Sequence, residues 1–463
     1  MEGIVKSCRV HDIVRDVMIS ISRDENFVCV AGNNLTSVVN KTFRHVAYHD
    51  IMRQNIGVDW GHVRSLTVFG ERSLGPSPSV CSPHMRMLRA LDLENAQFRF
   101  TQKDISNIGL LRHLKYLNFS DPERYSYIYK IPRSIGKLQG LRTLNIRHSY
   151  VTELPIEICK LNSLHSLRCT RDSSYERFHI RSPKQCLLAI ACLLIELVDP
   201  RVRAEVVAEL HMAWSSRLSK SSGVRVPKGI GKLTELQILE VVDISRTSGK
   251  AIKELGELVQ LRKLKVQTKG ATKQKCKLLC DAIQKLACLS SLEVGGSLEW
   301  LHVVSSPPPL LRSLELHGCL GEIPDWVGSL MHLVKLHLWR SKIKEEGKIM
   351  EIIGPLPNLM DLRLGFNSYI GEKLAFKAGA FPKLKKFDIC VLGQVRELIF
   401  EEGTSPQLGK IEIRSCRLES GINGIEHLAS LKEIWLNRHG TVARLGMLQR
   451  EVDAHPNHPM LRL

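Results

Sequence analysis

No loop of the form GxxxxGK[ST] occurs in this 463-residue chain, so nothing in it offers a lysine-backed run of backbone amides to cradle nucleotide phosphates. GxSxG elbows, HExxH helices and a nucleophilic Cys/His arrangement are equally missing, which argues against an enzyme. The longest apolar run, Cys186 to Val198, holds 13 residues including Glu196, whereas a bilayer crossing needs about 20. The N-terminus MEGIVKSCRVHD shows no basic start followed by a long apolar stretch and a small-residue cleavage site, so no secretory signal is visible and a cytoplasmic location is expected. Aromatic residues are scarce at 6%, which leaves the core to aliphatic side chains. No dense Lys/Arg run is interleaved with aromatics, so specific nucleic-acid binding is not expected despite a formal net charge of +19. That charge is enough to attract acidic protein surfaces, nucleic acid or anionic membrane, and equally describes a solvated basic surface. The 13 cysteines are scattered, as reduced thiols would be. Cys276 and Cys280 stand four apart on an expected helix without further ligands nearby, so they read as core filler and no metal site is expected.

What the chain does have is a spelling, LxxLxL, repeated at intervals of 22 to 28 residues. The copies centre on Leu66, Leu91, Leu117, Leu144 and Leu167, and, after 72 residues, on Leu239, Leu264, Leu292, Leu314, Leu336, Leu362, Phe387, Ile411 and Ile434. A period of this length marks a solenoid, because one unit cannot bury its apolar edge alone and must stack on its neighbours. In Leu141-Arg-Thr-Leu144-Asn-Ile146-Arg a short strand sends Leu144 and Ile146 inward and Thr143, Asn145 and Arg147 outward. Three residues past the last strand hydrophobe, Ser149, Cys319, Ser341, Asn367 and Cys416 stand where a small or polar side chain can bond the backbone of the turn. The expected fold is α/β, a leucine-rich-repeat solenoid of horseshoe form.

Between the two blocks, residues 171–224 read as a mostly helical insertion. Pro200 follows the capping candidate Asp199, and Val202, Val206, Leu210 and Ala213 fall at helical spacing. The expected organisation is therefore 1–60 as an N-terminal remnant and linker, 61–170 as the first repeat block, 171–224 as the insertion, 225–440 as the second block, and 441–463 as a cap or tail.

The phrase Ile131-Pro-Arg-Ser-Ile-Gly136-Lys-Leu138 returns as Val226-Pro-Lys-Gly-Ile-Gly231-Lys-Leu233 and Ile323-Pro-Asp-Trp-Val-Gly328-Ser-Leu330, with Leu154-Pro-Ile-Glu-Ile-Cys-Lys-Leu161 beside it. Near the N-terminus, Val10-His11-Asp12 opens an amphipathic helix with Ile13, Val17 and Ile21 on one side. Together these resemble the C-terminal part of plant intracellular disease resistance proteins of the coiled-coil, NB-ARC, leucine-rich-repeat (NLR) class, from the end of the winged helix through the repeats. The resemblance implies a small helical winged-helix remnant ahead of the solenoid. It makes Val10-His11-Asp12 a variant of the Met-His-Asp motif, in which the histidine contacts the nucleotide phosphate and the aspartate helps hold the ADP-bound state. Without a phosphate loop, His11 and Asp12 are a motif remnant, and ADP or ATP would be held only if an upstream nucleotide-binding core exists.

The outward strand positions are the expected partner-binding residues: Asn145, Arg147, Arg168, Lys335, His337, Trp339, Arg363, Arg414 and Trp435. The group Lys335, His337, Trp339 and Arg363 mixes aromatic and basic side chains, as protein-binding hot spots do. Basic charge near the start of the repeats, with Arg147 and Arg168, suits docking on an acidic partner. The resemblance implies a defence role in which the repeats sense a pathogen effector or a guarded host protein and restrain the nucleotide-binding module. The alternative is a standalone repeat adaptor, or a truncated fragment without a switch.

Overall fold

The computed structural model describes residues 17–18, 21, 28–31, 39–49, 57–69, 81–96, 102–120, 128–169, 223–344, 348–437, 441–442 and 445–463. The chain forms two compact units, Met1–Leu236 and Gln237–Leu463.

In the first unit the strands are β1 (Val28–Ala31), β2 (Val39–Lys41), β3 (His45–His49), β4 (Gly57–Val58), β5 (Ser65–Phe69), β6 (Ala90–Asn95), β7 (Tyr116–Asn118), β8 (Thr143–Asn145) and β9 (Ser166–Arg168). β1, β3 and β5 to β9 pair in parallel, each with the next, while β2 pairs with β4. The register places Val46, Leu66, Leu91, Leu117, Leu144 and Leu167 opposite one another, all buried. Parallel pairing is forced because every turn returns the chain to the same edge before the next strand begins. Val46 in this column shows that the ladder starts before residue 61, inside the stretch that the resemblance assigns to the winged-helix remnant. Residues 17, 18 and 21 are helical, but Val17 and Ile21, expected on an apolar face, are exposed. His11 and Asp12 lie outside the described residues. So does the expected helical insertion, except for Gly223 and Val224; beyond it Arg225 makes a parallel bridge with Glu153.

The Ile-Pro-x-x-Ile-Gly phrase has a mechanical explanation. Pro132, Pro155 and Pro324 cap short 3-10 turns in extended conformation, at φ of −68°, −69° and −65°, values to which the proline ring is already confined. The apolar residue of each turn, Ile135, Ile158 or Val327, is buried. Glycine follows because adjacent turns nearly touch: a Cβ on Gly136 would lie 2.9 Å from Glu157 Cβ and 3.0 Å from its carbonyl oxygen.

The second unit contains β10 (Ile238–Asp243), β11 (Lys263–Gln267), β12 (Ser291–Gly295), β13 (Ser313–His317), β14 (Lys335–Trp339), β15 (Asp361–Gly365), β16 (Lys373–Phe376), β17 (Lys386–Cys390), β18 (Glu397–Phe400), β19 (Lys410–Arg414), β20 (Arg417–Leu418), β21 (Gly421–Asn423), β22 (Glu433–Leu436), β23 (Thr441–Val442) and β24 (Met460–Arg462). The main parallel ladder runs β10 to β15, then β17, β19, β22 and β24. Its inner column, Leu239 through Leu362 to Phe387, Ile411 and Ile434, is fully buried. The outer side changes character along this unit. Helices Gly249–Glu254 and Lys273–Ile283, capped by the hydroxyls of Ser248 and Thr272, cover the first repeats, and Cys276 and Cys280 pack inward on the second. Burial raises both thiol pKa values, as expected of packing residues. Further on, the small parallel ladder β16, β18, β21 takes the place of helices, and Phe376 sits against Phe381, Phe387 and Phe400 at ring separations of 5.2, 4.8 and 4.7 Å. The rings meet tilted or edge-on, at interplanar angles of 49°, 75° and 33°, as aromatic packing favours.

The turn positions behave unevenly. Ser149 Oγ donates to Ile146 O at 2.7 Å, Asn367 Oδ1 accepts from Gly393 N at 2.9 Å, and Cys416 Sγ accepts from Leu392 N at 3.3 Å. Cys319 departs from the expectation, being exposed. Ser341 works through its backbone instead: its carbonyl accepts from Leu320 N and Gly321 N, while its buried hydroxyl has no partner. Near the C-terminus, helix Leu445–Ala454 precedes β24, which pairs with β22, and His455 is buried with its Nδ1 accepting from Asn457 N at 3.1 Å.

Candidate protein-binding surface

Outward side chains of a parallel ladder stand in straight rows, because equal register repeats each position at every strand. In the second unit the middle row reads Lys265, Glu293, Glu315, His337, Arg363, Asp388, Glu412 and Trp435. Opposite charges meet along and across the rows. Lys265 Nζ lies 2.5 Å from Glu293, and His337 lies between Glu315, 3.6 Å from its Nδ1, and Asp361, 3.5 Å from its Nε2. Arg363 donates twice to Asp361 at 3.1 Å, Arg414 donates to buried Asp388, and Lys386 and Lys410 share Glu412 at 2.8 and 3.0 Å. Glu433 then takes Lys410 at 3.1 Å and Arg462 at 3.0 Å.

The electrostatics follow from these neighbours. Burial opposes charge on His337, but the carboxylates of Asp361 and Glu315 outweigh it and raise its pKa. Burial likewise works against ionised Asp361, yet His337 and Arg363 push its pKa down to about 2. Glu315 is lowered, first of all by His337. His317 goes the other way: burial lowers its pKa in spite of Glu293 and Glu315, whose oxygens stay 4.0 Å from its Nε2. Asp388 is raised, since burial outweighs Arg414.

One part of this face is aromatic. His317 stacks on Trp339 with ring centroids 6.0 Å apart and planes within 8°, and the Phe366 ring lies 5.4 Å from Trp339, tilted by 40°. Arg340 sits 5.6 Å over the Phe366 ring, which is 42% exposed. Gly365 makes the arrangement possible: a Cβ there would lie 2.4 Å from the Trp339 ring.

The fold thus gathers His337, Trp339 and Arg363 on adjacent strands, with exposed Lys335 at the edge, but His337 is buried and Arg363 is committed to Asp361. Arg414 is held by Asp388, and Trp435 lies beneath Lys410 Nζ at 5.5 Å. In the first unit Asn145 is only 4% exposed, and its Oδ1 accepts from the backbone N and Nε of Arg147 at 3.2 Å, so it organises the strand end and does not point into solvent. Arg168 donates to Ser166 Oγ at 3.3 Å. Glu293, Asp388 and Phe366 join the surface beyond the residues that the sequence singles out. The first two share the middle register with Glu315 and Glu412, so aligning repeats reaches them; Phe366 is brought to Trp339 by a positive φ of 52° just past β15.

The model of a leucine-rich repeat region matches residues 62–185 and 216–461. The disease resistance protein Pik-2 of Oryza sativa subsp. japonica is 27% identical over 466 residues, spanning 94% of this chain and 43% of that protein. In Arabidopsis thaliana, the probable disease resistance RPP8-like protein 4 is 25% identical over 92% of this chain and 42% of its own length. Disease resistance protein RPM1 of the same plant is 30% identical over 46% of this chain and 23% of its own. Among solved structures, a leucine-rich-repeat protein of Leptospira interrogans covers 87% of this chain and 90% of its own at 17% identity and a TM-score of 0.48, too loose a superposition to bear on function. The chain spans less than half the length of the full-coverage curated relatives. With its ladders, its Ile-Pro-x-x-Ile-Gly turns and this match, the chain belongs to the leucine-rich repeat family, and its curated relatives are plant disease resistance proteins, to whose repeat-bearing part it corresponds.

Proposed function

We propose that this chain is the protein-recognition module of a plant NLR-type immune receptor, sensing a pathogen effector or a guarded host protein and restraining a nucleotide-binding module. The observation that carries the reading is the Trp339 group: a stacked aromatic surface with Phe366 exposed, set among charges already neutralised by one another. Aromatic side chains give large contact area at small entropic cost, and a pre-paired charged surround presents directional groups without mobile side chains to order. The relatives named above, Pik-2, the RPP8-like protein 4 and RPM1, are disease resistance proteins by name, which supports the defence role.

The test compares wild type with W339A/F366A in affinity capture from infected and uninfected plant tissue, together with co-expression of a nucleotide-binding module from a disease resistance protein. The expected result is an infection-dependent or module-dependent partner that wild type retains and the variant loses by about tenfold or more, as for a hot-spot pair. Identical protein sets from both, with the module unbound by either, would sink the reading.

A further inference from the structure

The residue that precedes each strand in the first unit is basic over six successive rungs: Arg44, Arg64, Arg89, Lys115, Arg142 and His165. Backbone bonds join them directly. Arg64 N donates to Arg44 O at 2.7 Å, Arg89 N to Arg64 O at 2.6 Å, Lys115 N to Arg89 O at 2.7 Å, Arg142 N to Lys115 O at 2.8 Å and His165 N to Arg142 O at 2.8 Å. The five Arg and Lys side chains are therefore stacked one strand apart, at about 4.8 Å per step. Arg44, Arg89, Lys115 and Arg142 are exposed and Arg64 is half-buried.

Among the described residues, no carboxylate lies within ion-pair reach of these five cations. Several described acids of the unit are engaged elsewhere: Asp59 with His62, Asp92 and Glu94 with Asn118, Glu153 with Arg225 and Glu157 with Arg133. The field is felt locally, since His45 is driven toward its neutral form by burial and then by Arg64 and Arg44. Like charges stacked at adjacent strands destabilise a sheet. In the second unit the equivalent position is broken up as Arg262, Ser290, Arg312, Val334, Met360, Lys385, Gly409 and Lys432, and its outward rows are neutralised. The uncompensated column is thus a property of the first unit and not of the repeat.

We infer that this basic column is a docking site for an acidic α-helix of a protein partner, one carboxylate per helical turn meeting one cation per rung. A helix repeats every ~5.4 Å, against ~4.8 Å per strand, so over four steps the two drift by only ~2.4 Å, within the reach of arginine and lysine side chains. An extended acidic segment presents same-side carboxylates every ~6.7 Å and drifts by ~8 Å over the same span. Single-stranded nucleic acid needs aromatic platforms between the cations. The adjoining row, His45, Ser65, Ala90, Tyr116, Thr143 and Ser166, offers one such ring, and Tyr116 is occupied with Asp92 and Asn118. The inference is independent of the Trp339 surface, which lies in the other unit.

The probe is a labelled synthetic helical peptide of about 18 residues with glutamates along one face, compared by fluorescence anisotropy with a peptide of equal composition whose glutamates are spread around the helix. The full chain should bind the one-face peptide with an affinity that weakens as salt rises, and should bind the spread peptide at least about tenfold less well. R89E/K115E/R142E should lose about tenfold or more, its neutral form R89Q/K115Q/R142Q somewhat less, and K250E/K273E/K277E, an equal charge change on exposed lysines of the second unit, should bind as wild type. Equal binding of both peptides, equal loss in the control variant, unchanged binding by a column variant that melts like wild type, or more effective displacement by an oligoribonucleotide than by unlabelled peptide would each overturn the inference.

Discussion

His337 and Asp361 show how a residue's chemistry is set by the rungs on either side of it. His337 is raised by its two carboxylate neighbours, so its charged form stabilises the fold fully below the unfolded value of 6.5, and that contribution disappears as pH rises through the higher folded value. The stability difference between wild type and H337N should accordingly be largest below pH 6.5 and shrink as pH rises above it in thermal melts; a difference that grows with rising pH would contradict the assignment. Asp361, at about 2 in the folded state against 3.8, contributes above 3.8 and loses that contribution as pH falls through about 2. D361N should cost about 1–2 kcal/mol at neutral pH after allowance for solvent screening, measured by denaturant titration. These positions were legible as outward-facing from the alternation of the strand. Their pairing was not, because the partners lie 22 to 26 residues away and depend on register: His337 faces Glu315 on one side and Asp361, two strand positions from Arg363, on the other.

At the level of the turn, the Ile-Pro-x-x-Ile-Gly phrase was readable as punctuation, and the structure supplies the cause in the close stacking of successive turns. G136A should destabilise the first unit by about 1–3 kcal/mol through overpacking against Glu157, whereas G321A, where a Cβ meets nothing within 4 Å but φ is +79°, should cost only the backbone strain of about 1 kcal/mol. Equal losses in urea titrations would remove stacking as the reason for the glycine. The place of β3 as a rung was hidden because Val46 stands where the five rungs that follow it in the unit carry leucine. The second ladder of β16, β18 and β21 had no periodic signature, since its segments fall in the outer turns whose length and spelling vary from repeat to repeat.

Across the molecule, each repeat leans mainly on its neighbours, so damage should stay local. F387A, at a fully buried ring in the phenylalanine group, should cost about 3–5 kcal/mol and raise hydrogen exchange in β15, β17 and β19 while the amides of β7 to β9 keep their protection; exchange rising uniformly through both units would refute nearest-neighbour stability. The sequence by itself determined the solenoid, the inward columns and the lack of a phosphate loop, because period, alternation and motif are properties of the chain read in order. Only the tertiary structure decided which outward groups are available. Register pairs the charges of the second unit with one another, withdraws Asn145 and His337 from solvent, and stacks the cations of the first unit with no described carboxylate in ion-pair reach. Charge pairing depends on which residues the ladder sets a few ångströms apart, and that distance exists only once the rungs are stacked.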